Sequence, residues 1–344
     1  MRILIIGAGA VGCFIGARLA LGGHAVTLAG RPALVEAARS AGLTLREPEG
    51  ERSTGPLAAH TSLREAFAHA SYDLAVLAVK AYDTAQAIAE LRAATAAPPP
   101  ILSLQNGVGN EEALALAFGA ARVVAGAIET PLSMPAPGLV VAHRARYRTG
   151  IAPLVPQSPA GLAGDALEDA GIRVDRFDDH RRLKWSKLLL NLPANASCAI
   201  LDWTPAQVMA DPVAAALDAR AWQEAFRVMA ALRIRPLSLA GYPLSLLSPI
   251  VRPLPPALLA RGLARTVSGG RGSKAPSLLA TLAAGKPSEV AWLNGVVAEA
   301  GETHGVPVPV NRAFTDILTA LSSGAASRDA WRGNVDRLAV AVGG

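Results

Sequence analysis

A lysine and two asparagines stand four residues apart in the stretch WSKLLLNLPAN, residues 185–195. On one helix, Lys187, Asn191 and Asn195 would lie above one another on a single face. An ammonium group can donate a proton to an oxygen that is becoming negative, and amides can bind a hydroxyl or carboxylate without adding charge. The face is therefore either a ligand site or a solvated surface that carries three polar groups.

The chemistry that this stretch suits best is reduction of a ketone by hydride. Hydride addition puts negative charge on the carbonyl oxygen, which then needs a proton or strong hydrogen-bond donors. Partial desolvation of Lys187 by Leu188–Leu190 favours release of its proton, so we predict Lys187 as the general acid. We predict that Asn191 and Asn195 bind the substrate, although Pro193 must kink the helix and either re-aim Asn195 or remove it from the face.

A glycine-rich turn at the start of the chain indicates a dinucleotide site. ILIIGAGAVG contains G-x-G-x-x-G directly after an apolar strand and at the start of a helix. Gly7 allows the tight turn, Gly9 lets the backbone approach a pyrophosphate, and Gly12 allows close packing of helix on strand. The helix start at Ala10 and Val11 offers unpaired N–H groups to phosphate. A glycine turn without a ligand is the alternative.

The end of the second strand favours NADP(H) over NAD(H). NAD-selective sites carry an acid there, which binds the ribose 2′-hydroxyl. Here the strand ends TLAGRP, and Arg31 stands at that place. A guanidinium can bind a 2′-phosphate through two charge-assisted hydrogen bonds, so we predict Arg31 as a cofactor ligand.

Two further strand ends point to the same place. Lys80 follows DLAVLAV, and Asn106 follows a later strand in LQNGVG. Ligands of open parallel sheets bind outside the carboxyl ends of the strands. We predict that both residues contact the cofactor and that Asn106 also contacts the substrate, with a solvated lysine and an Asn-Gly turn as the alternatives.

These residues need a sheet to position them, and the first half of the chain alternates strand and helix patterns. Such alternation predicts a doubly wound parallel sheet. Residues 137–152 differ, because two alternating runs flank a basic turn and predict an antiparallel hairpin. The predicted strands are 2–7, 24–30, 73–79, 100–107 and 121–128, and the predicted helices are 11–21, 32–41, 83–94 and 109–117.

The second half has helical patterns instead. A proline-rich insert at 235–256 cannot be one straight helix and is predicted as an irregular wall or a short-helix cap. The 344 residues suit two domains on a prior of about 150 residues each. We therefore predict a Rossmann-type α/β domain at 1–175 and an all-α domain at 176–344. The predicted helices of the second domain are 183–201, 205–233, 274–284, 287–304 and 311–322.

Composition narrows the function classes. The net charge of +6 comes with scattered arginines and no lysine-rich tail, which favours a small anionic ligand and argues against nucleic acid. Cys13 and Cys198 lie far apart, which predicts no disulfide framework and fits the cytoplasm. Arg18 interrupts the only segment that could pass for a signal peptide, and no other run reaches the ~20 apolar residues of a membrane span. Histidine spacing predicts no metal site.

Several segments occur along the chain in this order: GAGAVG, Arg31, VKAYDT, QNGVG, KLLLNLPAN and PSEVAWLNG. Through these segments the chain resembles the ketopantoate reductase (2-dehydropantoate 2-reductase) family over nearly its whole length. The resemblance implies NADPH-dependent reduction of 2-dehydropantoate to pantoate, on the way to pantothenate and coenzyme A. It also implies that Ser277 binds substrate and that Glu289 lies near the cofactor and the lysine.

Three positions depart from the family pattern. Thr281 and Ala291 stand where acids are common, and the bulky Trp292 follows. These departures leave the choice of 2-oxo acid open. A basic glycine-rich loop with Arg271 and Lys274 could close over an anionic substrate, but we favour a plain surface loop.

Other readings keep the same fold. A β-hydroxyacid dehydrogenase pairs similar domains but usually has a glycine-rich approach to its lysine, and RRLKWSK lacks one. A non-catalytic NADP-sensing protein would have little use for Lys187 beside two amides. Another branched 2-oxo acid as substrate and a homodimer as the assembly stay open.

Overall fold

The computed structural model describes residues 1–239, 241–270 and 276–343. The chain divides into two compact units, Met1–Lys184 and Trp185–Gly344. The functional boundary predicted between residues 175 and 176 stays a prediction, because the two units are defined by compactness and not by function.

The first unit contains twelve strands and six complete helices within its described residues. The strands are β1 Arg2–Ile6, β2 Ala25–Ala29, β3 Thr44–Glu47, β4 Gly50–Ser53, β5 Ala58–His60, β6 Leu74–Leu77, β7 Ile101–Ser103, β8 Val123–Ile128, β9 Leu132–Ala136, β10 Leu139–Ala142, β11 Arg148–Pro153 and β12 Arg173–Arg176. The helices are α1 Ala10–Leu21, α2 Pro32–Ser40, α3 Leu63–His69, α4 Thr84–Ala94, α5 Asn110–Phe118 and α6 Ala160–Asp169. Helix α7, His180–Asn191, begins in this unit and ends in the second.

The main sheet has eight strands in the order β12-β11-β8-β7-β6-β1-β2-β5. Its pairs are parallel except for β8 with β11, which is antiparallel. The chain first runs outward from β1 to β5 and then returns to β6 on the other side of β1, which places a topological switch point between β1 and β6. This arrangement confirms the predicted Rossmann-type doubly wound sheet.

Strand β1 shows why the sheet forms. Ile3 and Ile5 belong to one core cluster, whereas Leu4 and Ile6 belong to a second. Since successive side chains of a strand point to opposite faces, an unbroken apolar run buries the strand on both faces. All four side chains are buried.

A second sheet, β4-β3-β10-β9, corrects one prediction. The hairpin predicted at 137–152 is wrong, because β10 lies in this small sheet and β11 lies in the main sheet. The antiparallel partner of β10 is β9, across a turn in which Gly138 has φ +82°. Alternating polarity identifies a strand but not its partner, so the pattern alone could not separate the two sheets.

The second unit is helical in its described residues, apart from an isolated bridge between Leu239 and Tyr242. Two predicted helices are each divided in two. The helix predicted at 183–201 breaks after Asn191, close to Pro193. The helix predicted at 205–233 breaks before Pro212, which starts a new helix in its first turn, where proline is favoured. The helices are α8 Ala196–Leu201, α9 Pro205–Ala210, α10 Pro212–Ala231, α11 Leu244–Val251, α12 Pro256–Gly270, α13 Ser277–Ala283, α14 Asn294–Thr303, α15 Pro309–Ser323 and α16 Val335–Gly343.

The proline-rich insert contains the short helix α11, with Pro249 inside it. Helices α12 and α16 were not predicted. Within the described ranges, no helix is both long enough and apolar enough to cross a membrane.

Candidate active site

The turn between β1 and α1 has the geometry that its glycines predict. Gly7 has φ +92°, and a Cβ there would lie 2.5 Å from the backbone nitrogen of Val79. A Cβ on Gly12 would overlap the carbonyl oxygen of Gly7. A Cβ on Gly9 would meet nothing within 4 Å, so packing within the protein does not require this glycine. Gly7 and Gly12 are needed for the fold, whereas Gly9 leaves an open surface on which a ligand can approach the backbone.

The predicted cofactor residues of the first unit converge on one edge of the main sheet. Strands β2, β1, β6 and β7 are consecutive and parallel, so their carboxyl ends share that edge. The glycine turn follows β1, Arg31 follows β2, Lys80 follows β6 and Asn106 follows β7. Helix α1 begins at Ala10, with Gly9 in the cap position, and its first N–H groups have no partner within the helix. The edge therefore offers backbone donors and two cations to an anionic ligand.

Arg31 occupies the N-cap position of α2 and is exposed. Lys80 and Asn106 are half-buried. A carboxylate at the position of Arg31 would repel a 2′-phosphate, whereas the exposed guanidinium can bind it.

The face predicted for Lys187, Asn191 and Asn195 does not run through all three residues. Lys187 and Asn191 lie on α7 and are half-buried, and the helix ends at Asn191. The chain leaves the helix at Pro193, Ala194 has φ 48°, and α8 begins at Ala196. The break that Pro193 predicts is present, so the continuous three-residue face is wrong.

The side chain of Asn195 is buried and bonded on both sides. Its Nδ2 donates to the carbonyl oxygen of Asn191 at 3.1 Å, and its Oδ1 accepts from the backbone N–H of Leu278 at 3.2 Å. These bonds join the end of α7 to the start of α13, which gives Asn195 a structural role. Its predicted contact with substrate stays a prediction.

The two residues assigned by resemblance differ in exposure. Ser277 is the exposed first residue of α13, next to the N–H that Asn195 binds. Glu289 is buried and precedes the short 3-10 helix Val290–Trp292. Thr281, one of the departures from the family, donates its hydroxyl to the carbonyl oxygen of Ser277 at 2.7 Å. Arg271 and Lys274 lie outside the described residues.

A buried lysine that residue spacing did not single out, Lys184, lies in the first half of α7. Lys184 Nζ lies 2.8 Å from Glu111 Oε1 and donates to the carbonyl oxygen of Gln105 at 2.5 Å. Its place three residues before Lys187 puts it one turn away on the same helix, which is a signal that could have found it. A lysine in the basic run HRRLKWSK is otherwise easily taken for a solvated residue.

Cys13 on α1 is next to the glycine turn but is not a nucleophile. Its Sγ donates to the carbonyl oxygen of Ala8 at 3.3 Å, and burial raises the pKa of the thiol to about 12. Since the thiolate is the reactive form, the thiol is inert near neutral pH.

Comparison with family models covers most of the chain. Residues 3–155 match the model described as Ketopantoate reductase PanE/ApbA, and residues 179–322 match the model of its C-terminal part. The 2-dehydropantoate 2-reductase of Halobacterium salinarum is 30% identical over 323 residues, which cover 92% of this chain and 98% of that protein. The enzyme of the same name from Archaeoglobus fulgidus is 28% identical over 327 residues, covering 94% and 98%.

Solved structures share the fold. A PanE/ApbA family ketopantoate reductase from Ralstonia eutropha superposes with a TM-score of 0.79 at 28% identity, covering 94% of this chain and 99% of that one. A D-mandelate dehydrogenase in complex with NADH and anilino(oxo)acetate superposes with a TM-score of 0.78 at 21% identity, covering the same shares. At that identity the second likeness concerns the fold alone.

Proposed function

Because the chain belongs to the ketopantoate reductase family, we propose that it reduces 2-dehydropantoate to pantoate with NADPH, a step toward pantothenate and coenzyme A. The observation that supports this most is that both family models match in one chain. The first matched range contains the sheet edge that we propose for the dinucleotide, and the second contains the helix with Lys187 and Asn191. The protein is an NADP-dependent oxidoreductase that acts on a small molecule.

The first unit supplies groups that fit the cofactor. The open backbone at Gly9 and the N–H groups at Ala10, Val11 and Gly12 would hold the pyrophosphate, after the turn at Gly7. When bound, NADPH supplies the hydride for the carbonyl carbon, a reaction that needs no metal.

The charged and amide groups at the same edge would complete the cofactor site. Arg31 would bind the 2′-phosphate, and Lys80 and Asn106 would contact the dinucleotide from the ends of β6 and β7. We also assign Glu289 to the cofactor side of the site, where its carboxylate would orient the ammonium of Lys187.

Helix α7 supplies the proton in this proposal. Lys187 would donate a proton from Nζ to the carbonyl oxygen of the 2-oxo acid, so that negative charge would not accumulate on that oxygen. Asn191, Asn106 and Ser277 bind the hydroxyl and carboxylate of the 2-oxo acid. Asn195 supports this group by joining α7 to α13, and we retain a direct contact with substrate as a proposal.

The remaining assignments belong to the same proposal. We place the enzyme in the cytoplasm, with a homodimer as its assembly and no nucleic-acid partner. The domain that binds the nucleotide spans 1–175, and the domain that binds substrate spans 176–344.

The decisive measurement is NADPH oxidation by the purified chain with 2-dehydropantoate, compared with other branched 2-oxo acids and with a phenyl-substituted 2-oxo acid. We expect kcat/KM to be highest for 2-dehydropantoate and higher with NADPH than with NADH. The proposed substrate is wrong if another 2-oxo acid is preferred. Oxidation of a 3-hydroxy acid by NADP⁺ without 2-oxo acid reduction would indicate a β-hydroxyacid dehydrogenase, and NADPH binding without turnover would indicate a sensor.

A further inference from the structure

An ion pair is buried beneath the carboxyl ends of β7 and β8. The side chains of Lys184 and Glu111 are 3% and 1% exposed, with Nζ and Oε1 2.8 Å apart. The hydroxyl of Ser103 donates to the same Oε1 at 2.6 Å, and Lys184 Nζ also lies 3.4 Å from the carbonyl oxygen of Gly126. The pair thus joins α7 and α5 to the two neighbouring strands.

The pair continues into the loop after β6 through Gln105. Lys184 binds the carbonyl oxygen of Gln105, whose side-chain amide donates to the carbonyl oxygen of Val79 at 3.2 Å and to the hydroxyl of Thr84 at 2.8 Å. Val79 directly precedes Lys80. One end of the loop that carries Lys80 is therefore bound to the pair.

The same network reaches the loop after β7. Thr84 donates its hydroxyl to Oδ1 of Asn110 at 2.9 Å, and Nδ2 of Asn110 donates to the carbonyl oxygen of Asn106 at 3.0 Å. Gln105 and Asn110 bracket this loop, so its backbone is held at both ends. The network connects the two loops that carry Lys80 and Asn106.

In a second buried ion pair of the same unit, Arg18 with Glu47, both carboxylate oxygens accept hydrogen bonds. Glu47 accepts from Arg18 and Tyr147 through Oε1 and from Arg52 through Oε2, so both oxygens are bonded. Oε2 of Glu111, in contrast, is buried without a hydrogen-bond partner among the described residues, as is Oε1 of Gln105. The two pairs are therefore matched positions at which one buried carboxylate can be replaced.

We infer that the Lys184–Glu111 pair is a positioning element of the active site, which holds the loops after β6 and β7 so that Lys80 and Asn106 are arranged for NADPH. This inference rests on the proposed function only in taking those two residues as cofactor ligands. Lys184 and Glu111 act through the loops and do not touch the reacting atoms.

The test measures the Kd for NADPH by fluorescence, without any 2-oxo acid, in Glu111→Gln and in the matched control Glu47→Gln. Both substitutions remove one buried carboxylate from an ion pair of the same unit. We expect the Kd to rise about tenfold for Glu111→Gln and to stay within about twofold of wild type for Glu47→Gln. An unchanged Kd in Glu111→Gln, or an equal rise in both variants, overturns the inference.

The double variant Lys184→Met/Glu111→Leu keeps the inference testable if Glu111→Gln does not fold. Replacing both charges by apolar groups avoids an unpaired buried charge and is often neutral for stability. We expect the folded double variant to keep the raised Kd, because Gln105 has lost its ammonium partner. A wild-type Kd in this variant means that the pair only fills the core and overturns the inference. Since no substrate is present, a wrong choice of 2-oxo acid leaves this test unaffected.

Discussion

The two regions that we propose to bind ligands, one in each unit, are built in different ways. At the carboxyl edge of the main sheet, the proposed binding surface is backbone; close contacts require Gly7 and Gly12 in the β1–α1 turn, and Gly9 leaves the backbone open. In α7 and the segment after it, side chains are the groups that we propose for the chemistry, and the backbone changes course between Asn191 and Ala196.

This difference decides how well each region can be read from residue spacing. A turn in which a Cβ would overlap backbone admits essentially one residue type, so its sequence pattern implies its geometry. The spacing of Lys187, Asn191 and Asn195 places them on a common face only if one helix contains all three. Pro193 interrupts the helix before Asn195, so the spacing does not place Asn195 on that face. Three experiments separate the roles of the two regions.

The largest effect is expected for Lys187→Ala. We predict that kcat falls about 1,000-fold because the proton donor is lost, while the Kd for NADPH stays within about twofold. Stopped-flow or steady-state NADPH oxidation measures the first quantity, and fluorescence titration measures the second. Lys286→Ala, which removes an exposed lysine of the same unit, serves as the control. A kcat close to wild type in Lys187→Ala would remove this lysine from the mechanism.

A smaller effect, confined to the cofactor, is expected for Arg31→Asp. We predict that the KM for NADPH rises about 100-fold, since a carboxylate repels the 2′-phosphate that the guanidinium binds, while the KM for NADH does not rise. Arg122→Asp makes the same charge change next to the amino end of β8, at the opposite edge of the sheet, and should leave both values unchanged. Equal losses with NADPH and NADH would show that Arg31 does not read the 2′-phosphate.

The smallest effect on activity is expected for Asn195→Ala. The variant leaves the buried N–H of Leu278 without its acceptor, so we predict a loss of about 1–3 kcal/mol in the free energy of unfolding, measured with urea. At a temperature where the variant is folded, the KM for the 2-oxo acid should rise about fivefold, because the proposed contact with substrate is lost. An unchanged KM would show that Asn195 supports the site without binding substrate.

Much of the first unit followed from local patterns. The apolar runs that became β1, β2, β6, β7 and β8 were recognisable because strands buried on both faces are apolar throughout. The small sheet was not recognisable. Its strands β3 and β10 pair although almost a hundred residues separate them, and the residues of neither strand indicate which strand is the partner. Among the helices, α3 and α6 of the first unit and α12 and α16 of the second were not predicted.

The amino-acid sequence is sufficient to determine which chemical groups the protein carries. These are a glycine turn after the first strand, a cation at the position where an NAD site has an acid, and a lysine followed one turn later by an amide. Tertiary structure alone decided which of these groups share a surface. It gathered four strand ends at one edge, bound Asn195 into the packing of α13, and paired Lys184 with Glu111. The reason is physical: backbone conformation depends on residues a few positions apart, whereas burial and pairing depend on residues that the chain brings together from far along its length.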